Sequence, residues 1–204
     1  LFTEQGFTYF YSTYDKVGGY KDLYGRKMWV WIGEENTERI GKVLGCKLVK
    51  LKVPDVFSAI EAGMVEVFQT SPMACLSLQW CKLAKIMINY PHRFEPGVVI
   101  ISKKYFDSLP DDSKVVLQNE FRKSRADFTM MVREGQKIAL EKLKFLGIKF
   151  VEPKDKDWFE SEIKAKLWSS FENSDLLKKI KDSLETLRKE QNKEVDIYVV
   201  PEKN

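Results

Sequence analysis

Short strand-like segments that alternate with helix-like segments constrain the fold of this chain more than any other feature. Strand-forming runs at residues 26–32, 46–51 and 64–68 are separated by helix-like segments at residues 36–44 and 54–62. The connections between these segments are only a few residues long, as in βαβ units, whose strands are parallel. The sequence therefore predicts an α/β fold with a parallel-rich sheet.

The segments that follow extend this pattern until one long helix interrupts it. We expect a helix over residues 72–82 and strands over 85–90 and 98–102, with a turn at 91–97 between the two strands. Residues 111–146 form a continuous helical pattern, roughly 54 Å long at 1.5 Å per residue. Its apolar positions form a stripe and not a complete belt, so the helix should lie along a surface.

The two ends of the chain carry further elements. Residues 1–24 are rich in aromatic strand formers and should be largely extended. A short strand is predicted at 148–151, and amphipathic helices are predicted at 157–171 and 176–192. The last apolar segment, residues 195–200, is strand-like, and its partner is not evident from the pattern.

Composition and charge exclude several classes of function. Of the 204 residues, 44% are hydrophobic, which is enough to bury a core. The net charge of +4 comes without an arginine-rich tract or zinc-finger spacing, so we expect no nucleic-acid partner. No apolar run reaches the length of a membrane span. The chain opens at Leu1 without a signal-peptide pattern, which predicts a mature, trimmed or partial chain.

Residues that usually carry catalysis or bind metals are sparse. The cysteines form no CxxC pair, and one histidine cannot complete a zinc site, so we expect no metal and no cofactor. Buried free thiols are the favoured state, with a Cys75–Cys81 disulfide as the alternative. His92 should face solvent in a turn. An enzyme that uses Glu66, His92 or Arg93 is the minor alternative to a protein without catalytic residues, because no nucleophile–base pair is evident.

A candidate ligand site lies where a predicted strand ends. Gln69, Thr70 and Ser71 follow that strand, and ligands of open α/β sheets bind beyond the C-terminal ends of strands. In an earlier strand, Trp29 and Trp31 share one face, because alternate residues of a strand point the same way. Aromatic side chains with a few polar groups are typical of a small-molecule cleft, but core packing explains such tryptophans equally well.

The order of five segments resembles one family of transport proteins. The chain is similar to the extracytoplasmic solute-binding proteins of tripartite ATP-independent periplasmic (TRAP) transporters, the DctP-type family. The resemblance extends over nearly the whole chain from about Gly6. The segments that carry it are DLYGRKMWV (22–30), VLGCKLVKL (43–51), PDVFSAIEAGMVEVF (54–68), VVIISKKYFDSLPDDSKVVLQNEF (98–121) and FLGIKFVEP (145–153).

This resemblance implies a periplasmic-binding-protein-like fold. Such a fold has two α/β lobes with a cleft between them and one long bracing helix. Residues 1–26 and 98–152 would form part of one lobe, and residues 27–97 the core of the other. Residues 153–204 would supply helices and a tail that pack across the lobes. The family's N-terminal βα units would be missing from this chain.

The resemblance also implies a function. The protein would be a periplasmic receptor, free or lipid-anchored, that captures a small organic solute and delivers it to the membrane permease of a sodium-coupled TRAP transporter. The alternative is a protein-interaction component that docks a periplasmic partner such as a tetratricopeptide-repeat protein.

Departures from the family pattern bear on the solute. Trp29 stands where the family has an arginine that clamps the ligand carboxylate, and Thr8 stands where a second arginine often follows. An arginine fork makes two charge-assisted hydrogen bonds, whereas an indole offers one N–H and an apolar face. We therefore expect an apolar or aromatic-bearing solute and not a dicarboxylate. The candidate ligand-binding residues are Thr8, Trp29, Trp31, Phe68, Gln69, Thr70 and Ser71.

Overall fold

The computed structural model describes residues 2–167 and 175–191, and the chain divides into two compact units, Leu1–Phe159 and Glu160–Asn204. The strand predicted at 195–200 lies outside the described residues. The elements are β1 (Phe2–Ser12), β2 (Lys27–Trp31), α1 (Glu35–Val43), β3 (Lys47–Leu51), α2 (Val53–Glu61), β4 (Val67–Thr70), α3 (Pro72–Ser77), β5 (Ile86–Ile88), β6 (Arg93–Val98), α4 (Lys103–Ser108), α5 (Asp111–Phe145), β7 (Lys149–Val151), α6 (Lys156–Lys166) and α7 (Asp175–Gln191).

The first unit is built on a mixed sheet with the strand order β3-β2-β4-β1-β5-β7. Strand β2 is parallel to β3 and β4, and β5 is parallel to β7, as the βαβ pattern predicts. Strand β1 lies between β4 and β5 and is antiparallel to both. The α/β fold with a parallel-rich sheet is therefore confirmed, with one antiparallel strand inserted at its centre.

Strand β1 is long enough to pair along two different stretches. Its first residues pair with β6, in a register that shifts between Glu4 and Gly6. Its last residues pair with β4 and β5. Gly6 has φ +92, a backbone conformation that glycine adopts without a steric penalty. Because one stretch of β1 pairs with β6 and the other pairs with the main sheet, the start of β6 lies next to the strand ends of the main sheet.

The prediction of a turn at residues 91–97 is wrong. These residues include most of β6, which pairs with β1 over Arg93–Val98. Proline and glycine in this segment favoured a turn, but β6 pairs only with β1 within the described sheet, and an edge strand tolerates Pro96. The strand predicted at 98–102 shares only Val98 with β6.

Two predicted boundaries also differ from the structure. The backbone N–H groups of Met64 and Val65 both donate to the carbonyl of Ala59, so β4 begins later than expected and includes Gln69 and Thr70. The helix predicted over 72–82 ends at Ser77, because Gln79 adopts a left-handed conformation with φ 61. A short 3-10 turn, Trp80–Lys82, follows it.

The long helix is confirmed, as α5 spans Asp111–Phe145. Its buried residues are Ala139 and Leu143, close to its C-terminal end. Leu143 joins a core that contains Trp29, Phe68 and Trp80. No helix among the described residues combines the length and the apolar character that crossing a membrane requires.

The lobe boundaries remain a prediction, but the strand pairing bears on them. Strand β7 was expected in the first lobe, with the long helix. It pairs with β5, which lies within the segment assigned to the second lobe. The end of β1 likewise pairs with β4 and β5. Strands β1 and β7, both expected in the first lobe, therefore belong to the same sheet as strands from residues 27–97.

Candidate functional site

Two parallel strands and one helix meet at the C-terminal edge of the sheet. Strand β2 ends at Trp31 and β4 ends at Thr70, while α1 begins just after β2. Glu34 caps this helix, because its carboxylate accepts a hydrogen bond from the backbone N–H of Thr37 at 3.2 Å. A carboxylate at a helix N-terminus is stabilised by the unpaired N–H groups and the helix dipole.

Gln69 links this helix to the start of β6. Its Nε2 donates to Thr37 Oγ1 at 2.6 Å, and its Oε1 lies 2.5 Å from His92 Nε2. Because the amide oxygen only accepts, His92 Nε2 must carry the proton in this contact. Gln69 is 5% exposed, so both hydrogen bonds are shielded from water. The amide thus bridges two elements that are distant in sequence.

His92 is not the solvent-facing turn residue that the sequence predicts. Its ring stacks on Phe10 at a centroid distance of 4.1 Å, and its backbone N–H donates to the carbonyl of Thr8. Burial, together with the nearby charge of Arg93, lowers the pKa of His92 from 6.5 to about 3. The ring is therefore neutral at physiological pH. Its Nδ1 is buried and has no hydrogen-bond partner among the described residues.

Arg93 is the cation of the site. One of its terminal nitrogens lies 3.1 Å from the carboxylate of Glu34 and 3.4 Å from Thr37 Oγ1, and the other pairs with Glu95. Burial alone would lower the pKa of Arg93, but the two glutamates outweigh it and raise the pKa. All three charged side chains remain partly exposed. We call Glu34, Thr37, Gln69, His92, Arg93 and Glu95 the polar cluster.

The predicted site residues of β4 point to opposite faces of the sheet. Phe10 of β1 pairs with Gln69, whereas Tyr9 pairs with Thr70 and Tyr11 with Phe68. Because strand side chains alternate, Phe68 and Thr70 share one face and Gln69 points to the other. Phe68 is completely buried and stacks on Tyr11 at 5.2 Å. It therefore contacts the core and lines no surface of the described chain.

The two predicted tryptophans differ in exposure. Trp29 is 7% exposed, its indole N–H donates to the carbonyl of Leu51 at 3.1 Å, and it packs edge-on against Trp80. Trp31, at the end of β2, is 53% exposed. Of the two tryptophans, only Trp31 therefore contributes apolar surface at this edge, and Trp29 packs in the core.

The remaining predicted residues have local structural contacts. Thr8 is buried and its hydroxyl donates to the carbonyl of Arg93 at 3.4 Å. Ser71 caps α3 by accepting a hydrogen bond from the N–H of Ala74 at 3.2 Å. Thr70 is half-buried at the end of its strand. Gln69 thus belongs to the polar cluster and Thr8 adjoins it, while Thr70 and Ser71 lie at the same edge of the sheet.

Sequence reasoning missed the charged members of the polar cluster. The sequence pattern assigns no site role to Glu34, and it names Arg93 only in the minor enzyme alternative. The two residues are 59 positions apart in the sequence. Their side chains come together because β6 pairs with β1, which places the start of β6 at the sheet edge. The signal that could have revealed them is the alternation of Arg93, Glu95 and Gly97, which suits a strand better than a turn.

The cysteines are free thiols, as expected. Cys75 and Cys81 are buried, and Cys46 is half-buried. Burial raises the pKa of Cys46 to about 12, and it raises the pKa of Cys75 still further. Thiols of this kind stay protonated and unreactive. Among the described residues, no group of histidine, cysteine and acidic side chains could hold a metal ion.

Comparison with known protein families agrees with the arrangement of strands and helices. The DctP family model, described as bacterial extracellular solute-binding protein family 7, matches residues 1–174. The chain belongs to this family. Family members are binding proteins, in agreement with the expectation that this chain is not an enzyme. No curated protein matches the chain.

Solved structures of similar fold are TRAP periplasmic solute-binding proteins. The protein from Anaerococcus prevotii, with bound glucuronate, is 19% identical with a TM-score of 0.81, covering 93% of this chain and 61% of its own. The Xanthobacter autotrophicus protein, with bound galacturonate, is 22% identical with a TM-score of 0.79. The match covers 87% of this chain and 58% of that protein. The Desulfovibrio salexigens protein, with bound orotic acid, is 16% identical with a TM-score of 0.75. The match covers 83% of this chain and 55% of that protein.

These similarities establish the fold and also show how much of the relatives is matched. The chain spans between 55% and 61% of the length of the three structures. All three are solute-binding proteins of TRAP systems, as the sequence resemblance implied. The alternative function, docking of a partner such as a tetratricopeptide-repeat protein, finds no support in these comparisons.

Proposed function

We propose that this chain supplies solute-binding residues to a periplasmic receptor that captures a small organic solute and delivers it to a TRAP membrane permease. The polar cluster is the observation that carries this proposal. It lies at the C-terminal ends of parallel strands, where ligands of open α/β sheets bind, and its charged groups are partly exposed. Membership of the DctP family supports the same function.

The solute should depend less on a carboxylate than those named for the similar structures. Arg93 already pairs with Glu34 and Glu95. A carboxylate ligand would compete with two protein carboxylates for one guanidinium, and it would lie close to their negative charge. Thr8 and Trp29 replace the two family arginines, but Arg93 reaches this edge, so the expectation now depends on the pairing of Arg93 with Glu34 and Glu95.

An aromatic or apolar face on the solute is favoured by Trp31. Its indole is 53% exposed at the end of β2, at the same sheet edge as the polar cluster, and offers a flat surface for stacking. The hydroxyl of Thr70 would donate or accept a hydrogen bond with polar groups of the solute, and the carboxylates of Glu34 and Glu95 would accept hydrogen bonds from them. We therefore still propose an apolar or aromatic-bearing solute. Its aromatic contact would be Trp31 alone and not the set of Trp29, Trp31 and Phe68.

Matched pairs of solutes test this proposal. Isothermal titration calorimetry would compare D-galacturonate with D-galactose and orotate with uracil, within a wider panel of small organic solutes. We expect the uncharged member of a pair to bind at least as tightly as the acid. Tighter binding of both acids would contradict the proposed solute class and leave the receptor function standing. Absence of binding across the panel, without a co-purified solute, would contradict the receptor function.

The contribution of Trp31 can be measured with a neighbouring control. Trp31→Ala should weaken binding of the best solute by roughly tenfold, because it removes the aromatic face. Ile32 is 52% exposed and follows Trp31 in sequence. Ile32→Ala should leave the affinity within about twofold of the original. Equal losses in both variants would show that Trp31 has no specific contact with the solute.

A further inference from the structure

The opposite edge of the sheet is rich in lysine. Strands β2, β3, β5 and β7 run parallel, so they all begin at this edge. Each begins with or directly after an exposed lysine: Lys27, Lys47, Lys85 and Lys149. The acid that precedes β4, Glu66, accepts hydrogen bonds from the Lys27 backbone N–H and the Tyr14 hydroxyl, both at 2.8 Å.

Exposed apolar side chains lie among the lysines at one corner of this edge. Helix α5 ends at Phe145, which is 91% exposed, and Leu146 beside it is 56% exposed. Gly147, with φ +85, then turns the chain into β7. The backbone N–H of Lys149 donates to the carbonyl of Lys85 at 2.9 Å, so the starts of β7 and β5 are adjacent.

We call this surface the basic corner, and its residues are Lys85, Lys144, Phe145, Leu146 and Lys149. Lysines in the last turn of a helix complement its dipole, which accounts for Lys144 without any partner. Lys149 begins β7 and Lys85 directly precedes β5, so that explanation does not apply to them. Glu141 lies just before the last turn of α5, whose charged residues are Lys142 and Lys144.

Charge and shape together indicate the kind of partner. Phe145 and Leu146 protrude at a helix end, and they are flanked by lysines whose charges would meet an anionic surface. Exposed aromatic and aliphatic side chains beside lysines suit the interface of a bilayer, where the apolar groups enter the headgroup–acyl boundary. Each lysine near an anionic membrane strengthens binding on the order of fivefold.

We propose that the basic corner docks on an anionic phospholipid surface. Phe145 and Leu146 would enter the interfacial region, and the surrounding lysines would lie against the headgroup phosphates. The polar cluster lies at the opposite edge of the same sheet, so a protein docked in this way would leave that edge facing away from the lipid. This proposal does not depend on the identity of the solute.

Vesicle flotation tests the proposal. The purified protein would be mixed with phosphatidylcholine vesicles that either contain or lack phosphatidylglycerol, at low and high salt. We expect flotation only with the anionic vesicles and its loss at high salt, since screening weakens contacts between exposed charges. Absence of binding to anionic vesicles would overturn the proposal, even if the protein bound soluble polyglutamate, because that result would indicate an acidic protein partner.

Two double variants test the apolar contacts and the lysine contacts with the vesicles separately. Phe145→Ser with Leu146→Ser should reduce vesicle binding at least about tenfold, and Lys85→Glu with Lys149→Glu should abolish it. Ile100 is 86% exposed elsewhere in the same unit, and Ile100→Ser should leave binding unchanged. All these positions are exposed, so circular dichroism should show unchanged folding. Unchanged binding in both double variants would overturn the proposal, as would an equal loss in Ile100→Ser.

Discussion

At the scale of single residues, the contacts of a side chain in the polar cluster determine whether that side chain is charged or neutral. Gln69 presents its amide oxygen to His92, and Phe10 covers the ring. The neutral imidazole is favoured because the ring is shielded from water and lies near the positive charge of Arg93, while the amide oxygen fixes which ring nitrogen carries the proton. The neighbouring Arg93 retains its charge because Glu34 and Glu95 surround it. Neutral and charged groups therefore adjoin within one small region.

The low pKa of His92 predicts how stability depends on pH. In the unfolded chain the imidazole takes up a proton near pH 6.5, whereas in the folded chain it does so only near pH 3. The unfolded state then binds more protons, so the free energy of unfolding should decrease as the pH falls from about 6.5 to about 3. Between about pH 7 and pH 5, this decrease should reach up to about 2 kcal/mol.

Urea denaturation of the original protein and of His92→Gln at both pH values would measure the effect. The variant keeps a side-chain N–H for Gln69 but cannot titrate. Its stability should change less between the two pH values than that of the original protein. An equal change in the two proteins would show that His92 does not carry the pH dependence.

At the scale of elements, one residue decides where α3 ends. Gln79 adopts φ 61, and the chain then reverses into the 3-10 turn that places Trp80 in the core. A residue with a Cβ atom pays a steric penalty in this left-handed conformation, whereas glycine does not. The sequence pattern favoured an unbroken helix because Gln79 is itself a good helix former.

Substitution at position 79 should therefore stabilise the protein. Gln79→Gly removes the Cβ strain at an exposed position and should raise the free energy of unfolding by about 0.5–1 kcal/mol. Gln79→Ala, the matched control, keeps the Cβ atom and should be no more stable than the original. Denaturant unfolding would rank the three proteins. A glycine variant less stable than the alanine variant would contradict the assignment of strain.

At the scale of the whole molecule, one sheet separates two proposed surfaces. The C-terminal strand ends carry the polar cluster, and the N-terminal strand ends carry the basic corner. This separation follows from the parallel direction of β2, β3, β5 and β7, because like ends of parallel strands collect at one edge. A receptor arranged in this way could hold a solute at one edge while its opposite edge contacts a membrane.

Native mass spectrometry would test the receptor function of the intact protein. A solute captured during expression should add a small mass that survives gentle purification and disappears on denaturation. We expect an added mass that corresponds to one organic solute, and its identity would show whether it carries a carboxylate. A mass equal to that of the polypeptide alone, together with absence of binding to the solute panel, would contradict the receptor function.

Much of the fold could be predicted from local patterns. Alternating strands and helices, the glycines between them and the apolar stripe of α5 are properties of neighbouring residues, and α5 was located within one residue at its C-terminal end. The course of residues 91–97 could not be predicted. A segment with proline and glycine becomes a strand only if another strand pairs with it, and here the N-terminal part of β1 does so.

The sequence alone determined the α/β class, the family resemblance and the strand ends where a ligand site was expected. Tertiary structure decided which side chains are available there. Strand alternation turned Gln69 away from Phe68, core packing buried Trp29, and the pairing of β1 with β6 brought Arg93 to Glu34. The physical reason is that secondary structure depends on residues close in sequence, whereas a binding site depends on contacts between distant segments.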